Sequence, residues 1–136
     1  MDIFSPQKRS VIMSGIKSKN TKPEVEVRKW LHSEGLRFRI HKRDLPGCPD
    51  IVLKKYNTII FVHGCFFHHH HNCNLAYVPK TKTEWWLTKF ADNRKRDEKT
   101  MLQLRKLGWE VFVIWECEVR DGTFKMILKD LFGSKI

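Results

Sequence analysis

The sequence lacks any hydrophobic run long enough to cross a membrane, and this absence excludes a membrane-embedded protein. Its longest uncharged apolar run lies around residues 58–62, whereas a spanning helix needs about 20 apolar residues. The first residues, Met1–Ser5, also lack the basic and apolar regions of a secretory signal peptide. We therefore expect a soluble, cytoplasmic protein without a membrane partner.

Acidic residues are scarce relative to basic ones. The chain has 15 Asp and Glu against 26 Lys and Arg, which gives a net charge of +11. Such an excess in a small protein is typical of a polyanion binder, because clustered positive charge attracts phosphates. Charge therefore favours nucleic acid as the partner, but it does not separate an enzyme from a passive binder.

The sequence also lacks internal repeats and linkers. With 136 residues, of which 41% are hydrophobic, it fits one domain with its own core. Thr21 and Glu24 form a capping box before a helix over 22–34. The other predicted elements are a half-buried strand over 36–41, a hairpin of 50–55 and 58–62, an irregular segment over 63–82, a helix over 84–107 capped by Thr83, a strand over 109–115 and a helix over 124–132. This order predicts an α/β fold with a mixed sheet flanked by helices.

The four cysteines are not expected to form disulfides, because the chain shows no secretory signal. Cys65, Cys73 and Cys117, with one histidine of the run 68–71, match a closed Cys₃His zinc set. Cys48 stands apart from this group. The alternative is a set of unpaired buried thiols beside a solvated histidine run.

The first catalytic candidate is Asp50, which follows Pro49 at the start of a predicted strand. A carboxylate there is well placed to bind a metal, although it could also simply cap the turn. The next strand lacks the acidic-x-Lys pair usual in restriction-type nucleases, and His63 lies near the lysine position. Phosphodiester hydrolysis needs an activated water and cations that neutralise the developing charge. Asp50 with Mg²⁺ would supply the cation, and His68 or His63 would activate the water.

Aromatic and charged residues near these candidates suit contact with DNA. Phe66 and Phe67 could enter between base pairs as apolar wedges, or they could only cover the zinc loop. The charged run over 92–99 indicates a solvated helix face, of which a subset could contact phosphates.

Several of these segments together resemble the very-short-patch repair mismatch endonucleases. The resemblance covers roughly residues 8–120 and rests on 13–16 (MSGI), 45–52 (LPGCPDIV), 60–68 (IFVHGCFFH), 83–86 (TEWW), Asn93, Arg96-Asp97 and 115–117 (WEC). It implies a restriction-endonuclease-like fold with a structural zinc. It also implies Mg²⁺-dependent nicking of double-stranded DNA 5′ of the thymine in T:G mismatches.

The resemblance also implies roles for individual residues. Asp50 would bind Mg²⁺ together with the backbone carbonyl of Val62, where the family usually has threonine. His68 would be the catalytic histidine, with His63 and Glu24 supporting the metal–water shell. Phe67 stands where the family usually has tryptophan. The zinc ligands would be Cys65, His70, Cys73 and Cys117, and the residues that wedge into the duplex would be Met13, Phe66 and Phe67.

Residues 1–20 are expected to form a DNA-binding arm on a single endonuclease domain, with Lys8, Arg9 and Lys17 clamping the duplex. We expect a monomer that works with other repair proteins. Two alternatives remain: a restriction or junction nuclease of the same fold, and a zinc-stabilised DNA-binding protein without activity. The joint presence of Asp50, His63 and His68 favours catalysis, because a passive binder needs no such set.

Overall fold

A computed structural model describes residues 20–133 of the chain. The expected DNA-contacting residues Lys8, Arg9, Met13 and Lys17 lie outside the described residues. In chain order the elements are α1 (Lys22–Ser33), β1 (Arg39–Ile40), β2 (Ile51–Leu53), a 3₁₀ turn (Lys54–Tyr56), β3 (Thr58–His63), α2 (Thr83–Lys106), β4 (Glu110–Trp115), α3 (Glu116–Asp121) and α4 (Thr123–Phe132).

The described strands form one mixed sheet in the order β1-β2-β3-β4. β2 and β3 make the predicted antiparallel hairpin, whose turn closes on Asn57 at φ +55°, a conformation that asparagine tolerates better than most residues. β3 and β4 are parallel, and α2 is the crossover between them. The predicted mixed sheet flanked by helices is therefore confirmed.

The sheet is buried on both faces, which explains why β3 is buried along its whole length. One face packs against α1, α3 and α4 through residues that include Ile51, Leu53, Ile60, Val62 and Ile114. The other face packs against α2 through Val52, Ile59, Phe61, Leu104 and Val111. Alternate side chains of β2 and β3 thus enter opposite core layers, as the pleat requires. No helix in residues 20–133 is long and apolar enough to cross a bilayer.

Two local predictions are wrong, and one short helix was not predicted. The strand expected over 36–41 is reduced to Arg39–Ile40, because Leu36 and Phe38 pack on the core while Ile40 is exposed at the sheet edge. Thr83 does not cap α2; it is the first helical residue, and its hydroxyl donates to carbonyls of the preceding turn. The short helix α3 was not predicted, since the sequence there shows no extended periodicity.

Candidate active site

The segment that follows β3 folds back on itself and serves two sites. Its backbone makes tight turns, with the N–H of His68 donating to the Gly64 carbonyl and that of His70 to the Cys65 carbonyl. His63 and His68 thereby line a cleft beside the sheet. Cys65 and His70 instead contribute to a separate group of metal-ligand residue types.

Asp50 lies immediately before β2, where its carboxylate meets the neighbouring strand. Its Oδ2 accepts a hydrogen bond from the Val62 N–H at 2.8 Å, so the antiparallel pairing of β2 and β3 places the carboxylate at the Val62 peptide. Burial raises the pKa of Asp50 to about 7, and the nearby Glu24 carboxylate adds to this rise, while the Val62 N–H opposes it. A bound cation would therefore lower the pKa of Asp50 and stabilise its ionised carboxylate.

Glu24, on the first turn of α1, faces Asp50. Only 2% of its surface is exposed, and its Oε2 accepts hydrogen bonds from the Asn20 N–H at 3.0 Å and Arg28 Nη2 at 2.7 Å. The predicted capping box is thus partly modified: Thr21 Oγ1 accepts from the Glu24 N–H, but the Glu24 carboxylate reaches past Thr21 to Asn20. His41 Nε2 lies 3.2 Å from the same Oε2.

The donor atoms of Glu24, His41 and Asp50 lie within 4.8 Å of one another. Magnesium binds oxygen at about 2.0–2.1 Å and holds neighbouring and opposite ligands about 3–4 Å apart. Small side-chain movements would therefore close this group around one cation. The two carboxylates, one of them with a raised pKa, fit a divalent ion.

His68 is held in place by a carboxylate of α2. Its Nδ1 lies 2.6 Å from Asp97 Oδ2. Burial raises the pKa of Asp97, but the hydrogen bond and charge of His68, with smaller effects of His63 and Arg96, bring it below its ordinary value. An ionised carboxylate only accepts hydrogen bonds, so Nδ1 of His68 carries a proton whether the ring is charged or neutral. In the neutral ring, Nε2 has a lone pair. His68 can therefore accept a proton at Nε2.

His63 stacks flat on His68, with ring centroids 3.8 Å apart and planes at 4°. It is 6% exposed, and burial, with the charge of His68, lowers its pKa to about 3. His63 is therefore neutral and supports the ring of His68 without charge repulsion.

The role of α2 in this site was not predicted from the sequence. Asp97 holds His68, and the Asn93 side-chain amide donates to the Phe67 carbonyl at 2.8 Å. Both lie in the run that was expected to be a solvated face, which is correct for most of its residues. A signal was present: Asn93 and Asp97 interrupt an apolar stripe at helical spacing that continues through Trp86, Phe90, Met101 and Leu104. Two polar residues on a buried stripe indicate polar partners. His41 and Arg28 were also missed; the i,i+4 spacing of Glu24 and Arg28 on the predicted helix was a signal for Arg28, and we find none for His41.

These groups line one cleft of about 790 Å³. Asp50, Glu24, His41, His68 and Asp97 all line it, and the cleft also takes in Val62, His63, Phe67, Lys89 and Arg96. A histidine backed by a carboxylate, in one cleft with two further carboxylates and the cations Lys89 and Arg96, is an arrangement suited to metal-assisted acid–base chemistry.

The second group, which we call the cysteine cluster, consists of Cys65, His70, Cys73 and Cys117. Their donor atoms lie within 4.8 Å of one another. His70 Nδ1 is 3.7 Å from Cys65 Sγ and 3.5 Å from Cys117 Sγ. A tetrahedral zinc with ordinary bond lengths separates sulfur from nitrogen by about 3.6 Å, so the spacing fits zinc. Burial raises the pKa of Cys65 to about 12, so a cation is needed to hold its thiolate.

The two phenylalanines of the loop differ in environment. Phe66 packs against four aromatic rings, those of Phe67, Tyr77, Trp86 and Phe90, with centroids 4.9–5.2 Å away. Phe67 is 38% exposed and lines the cleft. Phe67 is thus the ring available to a ligand, and Phe66 anchors it.

The chain is similar to known DNA endonucleases. The family model described as DNA mismatch endonuclease Vsr matches residues 1–75. The chain is 43% identical to the DNA mismatch endonuclease Vsr of Escherichia coli over 119 residues, 88% of this chain and 76% of that protein. It is also 46% identical to a Type II nicking enzyme of Xanthomonas oryzae over 96% of both chains. A Type II nicking enzyme of Neisseria meningitidis is 48% identical over 88% of this chain and 85% of the relative.

The class that the cleft and these relatives define is a DNA endonuclease. The chain belongs to the Vsr family of DNA mismatch endonucleases, which confirms the resemblance found in the sequence.

Proposed function

We propose that the protein nicks one strand of double-stranded DNA 5′ of the thymine in a T:G mismatch, with Mg²⁺ as cofactor. The observation that carries the proposal is the cleft itself. Asp50 and the His68–Asp97 pair line the same cleft, although they are positioned by different elements: the start of β2, the loop after β3 and α2. Such convergence is expected of a catalytic centre and is not needed for passive DNA binding.

In this proposal His68 accepts the proton of the attacking water at Nε2, while Asp97 holds the ring in the required tautomer. Asp50 and the Val62 carbonyl hold Mg²⁺, and Glu24 orients water beside it. The bound ion would neutralise charge that develops on the phosphate. His63 supports the His68 ring from below. Threonine in place of Val62 would serve equally through its carbonyl, so valine is compatible with activity.

We assign a structural role to the cysteine cluster, with zinc bound by Cys65, His70, Cys73 and Cys117. All four positions come from the protein, which leaves no open coordination site for substrate. The cluster joins the loop after β3 to α3, and the Cys117 N–H donates to Cys65 Sγ at 3.3 Å. Zinc there would fix the loop that carries His68. Together with the hairpin that carries Asp50, this arrangement supports a restriction-endonuclease-like fold.

Mismatch recognition is assigned to the wedge residues. A T:G wobble is weakly stacked, so it is cheaper to pry open than a matched step. Phe67 reaches the cleft next to His68, and Phe66 holds it from the aromatic cluster. We infer that Met13 and the basic residues Lys8, Arg9 and Lys17 act from an arm over residues 1–20. Thr21 and Pro23 line the cleft, so this arm would join the structure at the cleft's edge.

The test uses duplexes with T:G or T:A at one position, each strand labelled separately, with and without Mg²⁺. Mg²⁺ is omitted rather than chelated, because a chelator would also remove zinc. We expect one nick in the T strand of the T:G duplex and none in the T:A duplex. Cuts in both strands of matched DNA would instead indicate a restriction-type nuclease, and binding without cutting would indicate a passive DNA-binding protein.

A further inference from the structure

His41 brings a nitrogen ligand into a group of carboxylates, and nothing in the proposed reaction uses it. Its Nε2 lies 3.2 Å from Glu24 Oε2, and its backbone N–H donates to the Asp50 carbonyl at 3.4 Å. The imidazole is 13% exposed and the Glu24 side chain 2%. The contact is therefore largely shielded from water, and the imidazole lies on the cleft wall with Glu24 and Asp50.

We propose that His41, with Glu24 and Asp50, forms a mixed nitrogen–oxygen site that prefers a transition-type divalent cation such as Mn²⁺ over Mg²⁺. This inference rests on the proposed metal role of Asp50 and differs from the proposed function in making Glu24 and His41 direct ligands of the ion. Magnesium takes oxygen ligands almost entirely, whereas Mn²⁺ shares its preference for carboxylates and, as a first-row transition ion, also accepts an imidazole nitrogen. One histidine beside two carboxylates therefore shifts preference away from magnesium without excluding it.

Arg28 stands in the way of the cation. Its Nη2 lies 2.7 Å from Glu24 Oε2 and 3.3 Å from His41 Nε2, in contact with both of these ligand atoms. The guanidinium carries a positive charge there, as the metal would. Arg28 and the cation therefore compete for the same carboxylate.

Arg28 is held in a way that allows it to leave. Its contacts run through the two terminal nitrogens, to Glu24 and to the Asn20 side chain, while its buried Nε has no hydrogen-bond partner among the described residues. A divalent cation that displaces Arg28 Nη2 breaks one ion pair, the one between Arg28 and Glu24. The geometry thus gives His41 and Arg28 opposite effects on cation binding, which a purely structural cluster would not show.

The experiment measures Mn²⁺ binding to the zinc-loaded protein without DNA, by electron paramagnetic resonance of free Mn²⁺, followed by displacement with Mg²⁺. Mn²⁺ is chosen because oxygen-rich sites take it and thiolate sites favour softer metals, so the cysteine cluster does not interfere. His41→Asn is the main variant, because His41 has φ +46° and asparagine tolerates that conformation. His41→Gln is a second variant, and His32→Asn, at an exposed position of α1, is the matched control.

We expect His41→Asn to raise the Mn²⁺ dissociation constant at least tenfold, in the range of about 10–100-fold that even outer ligand partners contribute. The preference for Mn²⁺ over Mg²⁺ should shrink as well. Arg28→Gln should lower the Mn²⁺ dissociation constant, because two buried carboxylates lose their cation. His32→Asn should change neither quantity.

Equal Mn²⁺ affinity in wild type and in both His41 variants would overturn the inference, as would the absence of Mn²⁺ binding by wild type. Asp50→Asn separates this failure from failure of the proposed function. If Asp50→Asn abolishes Mn²⁺ binding and nicking while the His41 variants bind normally, the metal role of Asp50 stands and His41 is only a hydrogen-bond partner of Glu24. If Asp50→Asn binds Mn²⁺ and nicks normally, both proposals fail.

Discussion

The cysteine cluster and the cleft are built from the same loop, yet they differ in one respect that decides their chemistry. In the cluster, four side chains offer four ligand atoms and surround one position completely. In the cleft, Asp50 and the His68–Asp97 pair line an open volume. A closed ligand set stabilises a fold, whereas an open one leaves room for water and substrate. Residues of one loop thus belong to two sites with different roles. Trp115 packs between the two sites, stacked on His70 of the cysteine cluster and edge-on to His63 of the cleft.

The largest effect on stability is expected from removing one ligand of the cysteine cluster. Cys117→Ser should remove the zinc and lower the melting temperature by about 10 °C or more, because a structural zinc contributes directly to folding and a few kcal/mol is worth that much in a domain of this size. Metal analysis and thermal unfolding test this, with Cys48→Ser, at an exposed cysteine outside the cluster, as control. A zinc-free protein with an unchanged melting temperature would show that the cluster has no structural role.

Removing the proton acceptor should act on the cleft alone. His68→Ala should lower single-turnover nicking about 10²–10⁴-fold, the usual contribution of a general acid–base group, with little change in zinc content. His71→Ala, in the same histidine run but outside the cleft lining, is the matched control. If both variants nick at the same rate, the catalytic histidine is misassigned.

Substitutions of Phe66 and Phe67 should distinguish a residue that contacts the mismatch from one that stabilises the loop. Phe67→Ala removes the ring that reaches the cleft and should reduce T:G nicking about tenfold, because stacking on a base is worth about 1–3 kcal/mol. Phe66→Ala removes a ring packed among four others and should lower both T:G nicking and the melting temperature. The comparison uses T:G and T:A duplexes at fixed salt. An unchanged T:G preference in both variants would mean that the rings only cover the loop.

The smallest effect concerns pH. Asp97 has a lowered pKa in the folded protein, so its ionised form stabilises the fold above the unfolded-state pKa, near 3.9. This contribution is lost as the pH falls through the lower folded-state value. The Asp97→Asn variant should therefore lose less free energy of unfolding on acidification than wild type, as denaturant titrations at several pH values would show. Parallel curves for the two proteins would contradict the pairing of Asp97 with His68.

Elements with strong periodicity were predictable, and polar contacts between distant elements were not. The helices α1 and α2 and the β2–β3 hairpin follow from capping, hydrophobic pattern and turn residues. The ligand types of the cysteine cluster followed from the cysteines, and the resemblance selected His70. The pairing of His68 with Asp97 depends on how α2 packs against the loop, 29 residues away in sequence. The contacts of His41 with Glu24 and Arg28 likewise depend on tertiary packing.

The strand expected over 36–41 shows why pattern alone misleads at a sheet edge. Its alternation holds for Leu36 and Phe38, which pack on the core, and fails at Ile40, which is 42% exposed. Alternation indicates which side chains can be buried. Neighbouring elements decide which of them are.

Asp50→Asn tests most directly whether the open set is the catalytic centre and the closed set is structural. Zinc content, melting temperature without Mg²⁺ and single-turnover nicking of a T:G duplex are measured on the same preparation. Zinc content should equal that of wild type, and the melting temperature should be equal or higher, because an aspartate whose pKa is raised by burial destabilises the fold when ionised. Nicking should be absent although DNA binding persists. Nicking at the wild-type rate, or a loss of nicking that only accompanies a loss of zinc, would contradict the separate roles of the two sites.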